Sequence, residues 1–327
     1  MQVIALKSNL TILPKSDLKL YEDIIIVMNF KQLAIIGPTA SGKSDLAIKI
    51  AQKLDAYILS IDSLSIYKEI DIVSAKPNEN DLNEVRHFGI NEIYPNEYFS
   101  VEILIKLYKK VKNICKREGK NLIIVGGTSF YLKSLIDGLS TLPPISDEVK
   151  KEVAFSLKTL EKSYGTLFKL DKHYMEKISP TDSYRIEKAL LIYTASGLTP
   201  SAWFAENPPI PIIKNLKIFN ISVEREVLRQ RIKNRTLKMF EQGLIDEVCN
   251  LEQKYTREPN SMRSIGIVEV LDYLDGKFTK EESLEFISTH TAQLAKRQQT
   301  FNKTQFKNSI SAPLEELKNI ILAHYNN

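Results

Sequence analysis

The sequence predicts an α/β fold, in which a parallel sheet core has helices on both faces and carries an inserted all-helical domain. Three observations predict it. A glycine-containing loop at 37–44 directly follows an apolar run, further apolar runs recur with helical stretches between them, and the stretch 143–204 contains no strand-like run. Alternation of strands and helices is typical of parallel sheets that are covered on both faces.

Four strands are predicted from short apolar runs bounded by turn residues, at 33–36, 57–61, 121–125 and 217–223. After the last of these the chain is predicted to be helical. The expected helices lie at 224–242, 244–254, 265–275, 280–306 and 313–324. Because helical stretches lie between them, the four strands are expected to form one parallel sheet that helices cover on both faces.

The inserted domain is predicted at 143–204, with helices at 147–163, 166–176 and 182–194. It is bounded by Pro143-Pro144 and by the segment Pro208-Pro209-Ile210-Pro211, where proline cannot continue a helix. The core is then assigned to 29–142 and 205–327. Residues 1–28 are set apart as an N-terminal extension, because Met28 directly precedes the first core strand and could equally be the natural start; no function is assigned to them.

The loop is the most specific motif in the chain. Its eight residues, Gly37, Pro38, Thr39, Ala40, Ser41, Gly42, Lys43 and Ser44, fit the pattern G-x-x-x-x-G-K-[ST] in full. The glycines let successive N–H groups point inward, and the helix that follows offers its positive N-terminus to an anion. The core is therefore predicted to be P-loop NTPase-like, with all eight residues binding a diphosphate, Lys43 pairing with its charge and Ser44 holding Mg2+. Whether the ligand is a nucleoside triphosphate or another diphosphate stays open.

Ligands of open parallel sheets bind beyond the carboxyl ends of the strands, so the residues that follow these strands are expected to converge. An ordinary ATPase needs a carboxylate there to hold Mg2+, but the most apolar strand ends in Gly126-Gly127-Thr128, which argues against routine ATP hydrolysis. Asp62 follows another strand. It could organise a metal ion, act as a general base or simply hold a turn. Thr128 either caps the next helix or faces a ligand.

The formal net charge is only +5, but the basic residues are unevenly distributed. Between Phe286 and Leu314 there is no Asp or Glu, while Lys296, Arg297, Lys303 and Lys307 fall in this stretch. A second basic stretch spans 225–238. Such runs are usually solvated helix faces, but two of them together with a phosphate loop favour a polyanionic partner such as RNA.

Composition excludes several other classes. No apolar run approaches the roughly 20 residues of a membrane-spanning helix, so no membrane partner is expected. The two cysteines and four histidines show no metal-binding spacing. A reducing cytoplasm is the expected location.

Six separated motifs, in this order, resemble those of the tRNA dimethylallyltransferases of the bacterial type, also called tRNA isopentenyltransferases. They are GPTASGKS at 37–44, DSLSIY at 62–67 with SAKP at 74–77, VGGTSFYLKSLIDGLS at 125–140, RIKNRTLKMFEQGLIDEV at 231–248, RSIG at 263–266 and QLAKRQQT at 293–300. Apart from the loop no single motif is decisive, but the ordered set is highly specific.

The resemblance implies transfer of a dimethylallyl group from dimethylallyl diphosphate to N6 of the adenosine 3′ of the anticodon, position 37 of a tRNA, with Mg2+ as cofactor. It implies catalytic roles for Asp62 as general base, for Thr128 at the target nucleotide and for Lys43. Arg231 and Arg235 resemble the family's arginines near the diphosphate. The expected partners are a tRNA anticodon stem-loop and dimethylallyl diphosphate, and the protein is expected to act as a monomer.

The resemblance also implies a set of tRNA-binding residues, with a flipped base in a channel between the core and the insertion. These residues are Asp62, Ser63, Leu64, Ser65, Thr128, Lys150, Tyr184, Arg185, Ile186, Glu187, Lys188, Arg263, Lys296 and Arg297. The chain departs from the usual family residues at Val73, Arg86, Tyr184, Ile267, Ala292 and Phe301. These departures bear on tRNA recognition and leave the catalytic set unchanged.

Three other functions compete. An adenylate isopentenyltransferase would perform the same chemistry on a free nucleotide, but it would not need the helical insertion or the acid-free C-terminal stretch. A P-loop kinase of a small metabolite would consume ATP. A GTPase-like or RNA-binding switch lacks a guanine-recognition motif such as N-K-x-D in this chain.

Overall fold

A computed structural model describes residues 30–326 of the chain. They fall into two compact units, one formed by 30–133 with 215–326, and the other by Ser134–Lys214. The predicted extension at 1–28 lies outside the described residues. Within 30–326, no helix has the length and apolar character that crossing a membrane requires.

The first unit is built on a parallel sheet, which has six strands within the described residues, in the order β3-β2-β4-β1-β5-β6. The strands are β1 Gln32–Ile36, β2 Ala56–Ser60, β3 His87–Phe88, β4 Asn121–Gly126, β5 Lys217–Ile221 and β6 Ile310–Ala312. The α/β class and the four predicted strands are confirmed. β3 and β6 were not predicted, because strands of two and three residues carry no readable alternation.

Four helices follow the first strands: α1 Lys43–Leu54, α2 Glu79–Glu84, α3 Val101–Arg117 and α4 Ser129–Asp137. One hydrophobic core cluster of the unit lies between the sheet and α1. Leu33 and Ile35 of β1, Phe219 of β5, and Leu46 and Ile50 of α1 are all buried there. Strands buried on both faces read as continuous apolar runs, which is why the sequence revealed them.

The second unit contains helices and no strand within 134–214. It contains α5 Asp147–Ser156, a 3-10 turn Leu157–Thr159, α6 Leu160–Leu170, α7 Lys172–Met175, α8 Ser183–Ser196 and α9 Pro200–Glu206. Val153, Leu167, Met175 and Ile186 form its core. The helix predicted at 147–163 is wrong in its continuity, because the 3-10 turn divides it and the Ser163 hydroxyl donates to the Ser156 carbonyl (2.8 Å).

This unit begins and ends outside the predicted limits of 143 and 204. The N–H groups of Ile212 and Ile213 donate to the Leu135 carbonyl (3.0 and 2.9 Å), so the two connecting segments are bonded to each other. Gly138 and the backbone of Ile210 also pack closely across the two segments, since a Cβ on Gly138 would lie 2.1 Å from the Ile210 carbonyl oxygen. The connecting segments therefore belong to the compact unit.

The C-terminal part of the first unit is mostly helical, as predicted. It contains α10 Arg225–Glu241, α11 Leu244–Tyr255, a 3-10 turn Asn260–Arg263, α12 Ile267–Leu274, α13 Lys280–Gln305 and α14 Leu314–Asn326. A capping box between Thr279 and Glu282 starts α13. α10 packs against α13 through Leu228, Ile232 and Ala295.

The strand register places the predicted functional residues at one edge of the sheet. Ile36 of β1 lies opposite Gly126 of β4, and Ser60 of β2 lies opposite Val125 of β4. The loop that follows β1, the residues after β2 and the residues after β4 therefore leave the sheet side by side. This agrees with the convergence expected from the sequence.

Candidate active site

The phosphate loop closes on itself in front of α1. Gly42 has the left-handed φ of 88° that glycine adopts readily, and Ala40 also lies in this region, at φ 59°. The Pro38 carbonyl accepts hydrogen bonds from the Ser41 N–H (3.3 Å) and from the Lys43 ammonium (2.7 Å). The Ser41 hydroxyl is fully buried and finds no hydrogen-bond partner among the described residues. The loop is thus shaped to receive an oxygen-rich group.

Lys43 has an unusual electrostatic environment. Burial lowers its pKa to about 8; Asp62 nearby works in the opposite direction, and Arg235 lowers the pKa further. A bound anion favours the charged form of a lysine, so an anion bound at this loop would raise the pKa of Lys43 again. Lys43, Asp62 and Arg235 are therefore electrostatically coupled across one site.

This pKa predicts a pH dependence for diphosphate binding. Below pH 8 Lys43 is charged in the free protein, so affinity should not depend on its titration. Above pH 8 the free protein must take up a proton before the charged pair can form, and this contribution should weaken affinity by up to about tenfold per pH unit. Calorimetric titration with pyrophosphate between pH 7 and 10 measures it.

The control for this prediction is Lys43→Arg, because a guanidinium stays charged across the range. The titration of pyrophosphate itself is common to both proteins and cancels in the comparison. Equal pH profiles for the two proteins would show that Lys43 does not titrate in this window.

Asp62 lies directly beyond β2 and holds a turn. Its Oδ1 accepts hydrogen bonds from the N–H groups of Leu64 (3.0 Å) and Ser65 (3.4 Å). Among the described residues, no hydrogen bond to Oδ2 is formed. The next N–H, that of Ser63, donates to the Thr128 hydroxyl oxygen (3.2 Å). One carboxylate oxygen thus fixes the side chain, while the other is left for a ligand.

Gly126 explains why the ends of β2 and β4 approach so closely. A Cβ at this position would lie 2.9 Å from the Ile61 carbonyl carbon and 3.1 Å from the Asp62 nitrogen. Gly126, the last residue of β4, therefore permits close packing, and this packing brings Thr128 to the loop that starts with Asp62.

Arg235 of α10 reaches the phosphate loop, where its guanidinium donates to the Thr39 hydroxyl (3.2 Å). Burial lowers its pKa, against the opposing effect of Asp62. Arg231, one turn earlier in the same helix, is exposed and lines neither of the two cavities described next. The structure thus brings only one of the two predicted arginines to the loop.

Two cavities meet at these residues, and both are lined entirely by the first unit. The larger, of about 940 Å³, contains the loop from Thr39 to Ser44 together with Asp62, Ser65 and Arg235. The smaller has about 330 Å³ and is lined on its apolar side by Leu64, Val73, Ile232, Met239, Ile265, Ile287 and Leu294. Thr39, Asp62, Ser74 and Arg235 line both. The larger cavity, which holds the phosphate loop, and the smaller one, whose lining mixes apolar and polar side chains, therefore share the predicted catalytic carboxylate.

The described residues contain no group of three or more His, Cys, Asp or Glu side chains that could hold a metal ion. Ser44 is exposed and lines the larger cavity, as does Asp62. Mg2+ in phosphate sites is usually held by one or two protein oxygens together with the substrate's phosphates. These residues therefore fit an ion that arrives with a diphosphate and do not form a protein-only metal site.

The predicted RNA-facing residues of the first unit are solvent-accessible to different extents. Arg263 is exposed and lines the smaller cavity. Lys296 and Arg297 are exposed on α13. Ser65 is buried and lines the larger cavity, so its side chain faces the phosphate loop compartment.

The predicted RNA-facing residues of the second unit lie on α5 and at the start of α8. Tyr184 and Arg185 are exposed, and the Lys188 ammonium lies 5.2 Å from the centre of the Tyr184 ring. Glu187 is half-buried, and Lys150 pairs with the adjacent Asp147 (2.8 Å). Ile186 is fully buried in the core of the unit, so the structure does not support a side-chain contact with RNA at that position.

Two residues that shape the site were not singled out from the sequence. The Glu247 carboxylate, at the start of α11, accepts hydrogen bonds from three successive N–H groups, those of Asp71 (2.9 Å), Ile72 (2.7 Å) and Val73 (3.0 Å). Gln298 of α13 accepts from the Thr39 N–H (2.8 Å). Both lie inside motifs quoted above, but helical spacing alone does not reveal which loop they reach.

Comparison with known proteins agrees with this geometry. The family model described as "IPP transferase" matches residues 65–305. A protein of Sulfurimonas denitrificans named tRNA dimethylallyltransferase is 66% identical over 292 residues, which cover 89% of this chain and 98% of the relative. The chain belongs to the IPP transferase family.

More distant relatives in this family carry the same name. A tRNA dimethylallyltransferase of Helicobacter pylori is 40% identical over 303 residues, covering 93% of this chain and 96% of the relative. The chain therefore belongs to a family of transferases, as the sequence predicted.

Solved structures of the family share the fold. The tRNA isopentenylpyrophosphate transferase of Staphylococcus epidermidis is 29% identical, with a TM-score of 0.66 over 91% of this chain and 99% of the other. A eukaryotic dimethylallyltransferase, whose structures are described as crystallographic snapshots of the enzyme acting on tRNA, is 26% identical, with a TM-score of 0.75 over 87% of this chain and 74% of the other.

Proposed function

We propose that this protein is a tRNA dimethylallyltransferase, which transfers a dimethylallyl group from dimethylallyl diphosphate to N6 of the adenosine 3′ of the anticodon, position 37, and releases diphosphate. The observation that carries the proposal is that the phosphate loop and Asp62 line one cavity, and that Asp62 and Arg235 also line the smaller cavity beside it. The names of the family members support the choice of substrates.

The loop stabilises the leaving group. Its N–H groups, the Lys43 ammonium and the Arg235 guanidinium lie where negative charge grows as the bond between C1 of the allyl group and the diphosphate oxygen breaks. In the described geometry Lys43 donates to the Pro38 carbonyl, so it has to turn from that oxygen to the diphosphate. The buried hydroxyl of Ser41 is a further donor close by.

The smaller cavity suits the five-carbon allyl group. The apolar side chains of its mixed lining, among them Ile232 and Met239 on α10 and Ile287 and Leu294 on α13, pack against the allyl carbons and limit the access of water to C1. Exclusion of water matters here, because water that attacks C1 would hydrolyse dimethylallyl diphosphate without transfer. The two compartments then hold the two ends of one molecule.

Asp62 acts on the acceptor. The lone pair of adenine N6 is delocalised into the ring, so attack on C1 is easier when a carboxylate accepts the N6 hydrogen. Oδ1 of Asp62 is held by its turn, and Oδ2 takes the proton. In this proposal Thr128, which is bonded to Ser63, lies beside the same nucleotide.

Bound Mg2+, held by Ser44 and the diphosphate oxygens, would supply further neutralisation of the leaving group. The tRNA partner, action as a monomer and a cytoplasmic location are parts of the same proposal. An anticodon-loop adenine has to leave its stack to reach a recessed strand edge, and the exposed aromatic and basic residues at the start of α8 suit unstacked RNA.

The test is incubation with dimethylallyl diphosphate and an unmodified anticodon stem-loop, followed by mass analysis of the nucleosides. Transfer to the adenosine 3′ of the anticodon is expected, with no consumption of ATP in its place. Transfer to free adenylate but not to the stem-loop would favour the adenylate isopentenyltransferase. ATP consumption without transfer would favour a kinase.

A double substitution, Lys296→Ala with Arg297→Ala, tests the basic helix. Both side chains are exposed on α13, so the fold should be unaffected, while stem-loop affinity is expected to fall about tenfold or more. The loss should be similar for different loop sequences, because phosphate contacts carry no base information. Filter binding at two salt concentrations measures it.

Pyrophosphate affinity is the internal control, and it should change less than about twofold. Lys303→Ala with Lys307→Ala gives a matched double variant at the end of the same basic stretch. An unchanged salt dependence in the first variant would remove these two residues from the RNA interface.

A further inference from the structure

Gln298 links α13 to the phosphate loop. Its Oε1 accepts the hydrogen bond of the Thr39 N–H (2.8 Å) and so occupies one backbone donor of the loop. Its Nε2 lies 2.6 Å from the point that a Cβ on Gly127 would take. A Cβ on residue 127 would therefore push the Gln298 amide out of its present position.

The same stretch of α13 is anchored by two further amide side chains. Gln299 donates to the Val223 carbonyl (3.4 Å), and Asn302 donates to the Asn220 side-chain oxygen (3.1 Å). Lys296 and Arg297, which directly precede Gln298, are exposed. One short piece of helix thus carries basic groups towards solvent and amide groups towards the sheet edge and its loop.

Thr39 is held from two sides. Gln298 bonds its main-chain nitrogen, while Arg235 of α10 donates to its hydroxyl (3.2 Å). A shift of α13 therefore moves the loop directly, and it also changes the position of a residue to which Arg235 is bonded. Gln298 supplies the direct bond between the basic helix and the diphosphate-binding residues.

From these contacts we propose that Gln298 is a positioning residue that couples RNA on α13 to the phosphate loop. The proposal rests on the proposed function. RNA bound at Lys296 and Arg297 fixes α13, the Gln298 side chain then fixes Thr39, and the loop presents its N–H groups in the geometry that binds diphosphate. Because coupling between two sites is reciprocal, diphosphate strengthens RNA binding by the same factor.

Equilibrium binding tests the proposal without any turnover. The affinity for pyrophosphate with Mg2+ is measured by calorimetry in the absence and in the presence of a saturating anticodon stem-loop. Wild-type protein is expected to bind pyrophosphate more tightly with RNA present, by a factor within the usual range of about 5 to 150. Gln298→Met, which keeps the length but loses the acceptor oxygen, should reduce that factor to below about twofold.

Two further variants sharpen the result. Gln299→Met is the matched control, because it makes the same change one residue away on a side chain that reaches Val223 and not the loop, and it should keep the wild-type factor. Gln298→Glu keeps the acceptor but adds a negative charge beside the loop. It should lower pyrophosphate affinity by about tenfold. The affinity for RNA in the absence of pyrophosphate should stay within about twofold of wild type.

The outcomes separate this proposal from the proposed function. If wild-type protein prenylates the stem-loop and binds both ligands without coupling, the role of Gln298 is wrong and the function stands. If Gln298→Met keeps the wild-type factor, or Gln299→Met loses it equally, the link does not run through Gln298. If wild-type protein neither binds nor prenylates the stem-loop, it is the proposed function that fails.

Discussion

The Asp62→Asn variant is expected to bind both substrates with nearly wild-type affinity and to turn over about 10²- to 10⁴-fold more slowly. A general base contributes a factor of this size, and an amide cannot take the N6 proton. Asparagine keeps an Oδ1 that can accept from the Leu64 and Ser65 N–H groups, so the turn should persist. Single-turnover transfer to an anticodon stem-loop measures the effect.

Asp45→Asn serves as the matched control for loss of a carboxylate, since Asp45 is exposed and lines the same cavity. It should change the rate by less than about threefold. A folded Asp62→Asn protein with near-wild-type turnover would mean that another group accepts the proton.

The second large effect is expected for Lys43→Met. The substitution removes the charged donor that meets the leaving diphosphate, so kcat/KM for dimethylallyl diphosphate should fall about 10²- to 10³-fold. Pyrophosphate affinity should fall as well, because the ammonium also binds the product. Stem-loop affinity in the absence of diphosphate should stay within about twofold.

Lys49→Met provides the comparison for Lys43→Met, because Lys49 is an exposed lysine in the same helix. It is expected to be neutral. If both lysine variants lost activity to the same degree, the effect would come from α1 as a whole and not from a contact with the diphosphate.

Much of the fold was predictable because its signals are local. Leu33 to Ile36 is an unbroken apolar run that ends at a loop whose glycine at 42 adopts a left-handed φ. The helices after β5 are predicted by capping residues and apolar spacing that lie within each helical segment itself. The capping box of Thr279 and Glu282 is an example. β3 and β6 were missed because such short strands are defined by their neighbours in the sheet and not by their own residues.

The site was predictable where a strand end determines it. Lys43, Asp62 and Thr128 follow three strands that the register aligns, so their convergence could be inferred from the sequence. Arg235 was favoured over Arg231 but both were kept as candidates, because residues four apart on a helix lie on nearly the same face. The contacts of Glu247 and Gln298 depend on how distant helices pack, and this information is not present in any local pattern.

Ile186 is a predicted RNA-binding residue that the structure does not support. Its neighbours Tyr184 and Arg185 are exposed, and the RNA-facing prediction treated the whole stretch as one motif. In a helix, however, adjacent residues point in different directions, and Ile186 faces the core of the helical unit. A motif that is contiguous in sequence therefore needs to be divided by helical phase before roles are assigned.

The central claim is that one site holds the diphosphate on the phosphate loop and the proton acceptor Asp62 beside the target base. A structure of the protein with an unreactive dimethylallyl diphosphate analogue and an anticodon stem-loop tests it most directly. The account predicts the diphosphate on residues 37–44 and adenine N6 within about 2.6 to 3.2 Å of an Asp62 carboxylate oxygen. A flipped base whose N6 faces another residue, or a diphosphate bound away from the loop, would contradict it.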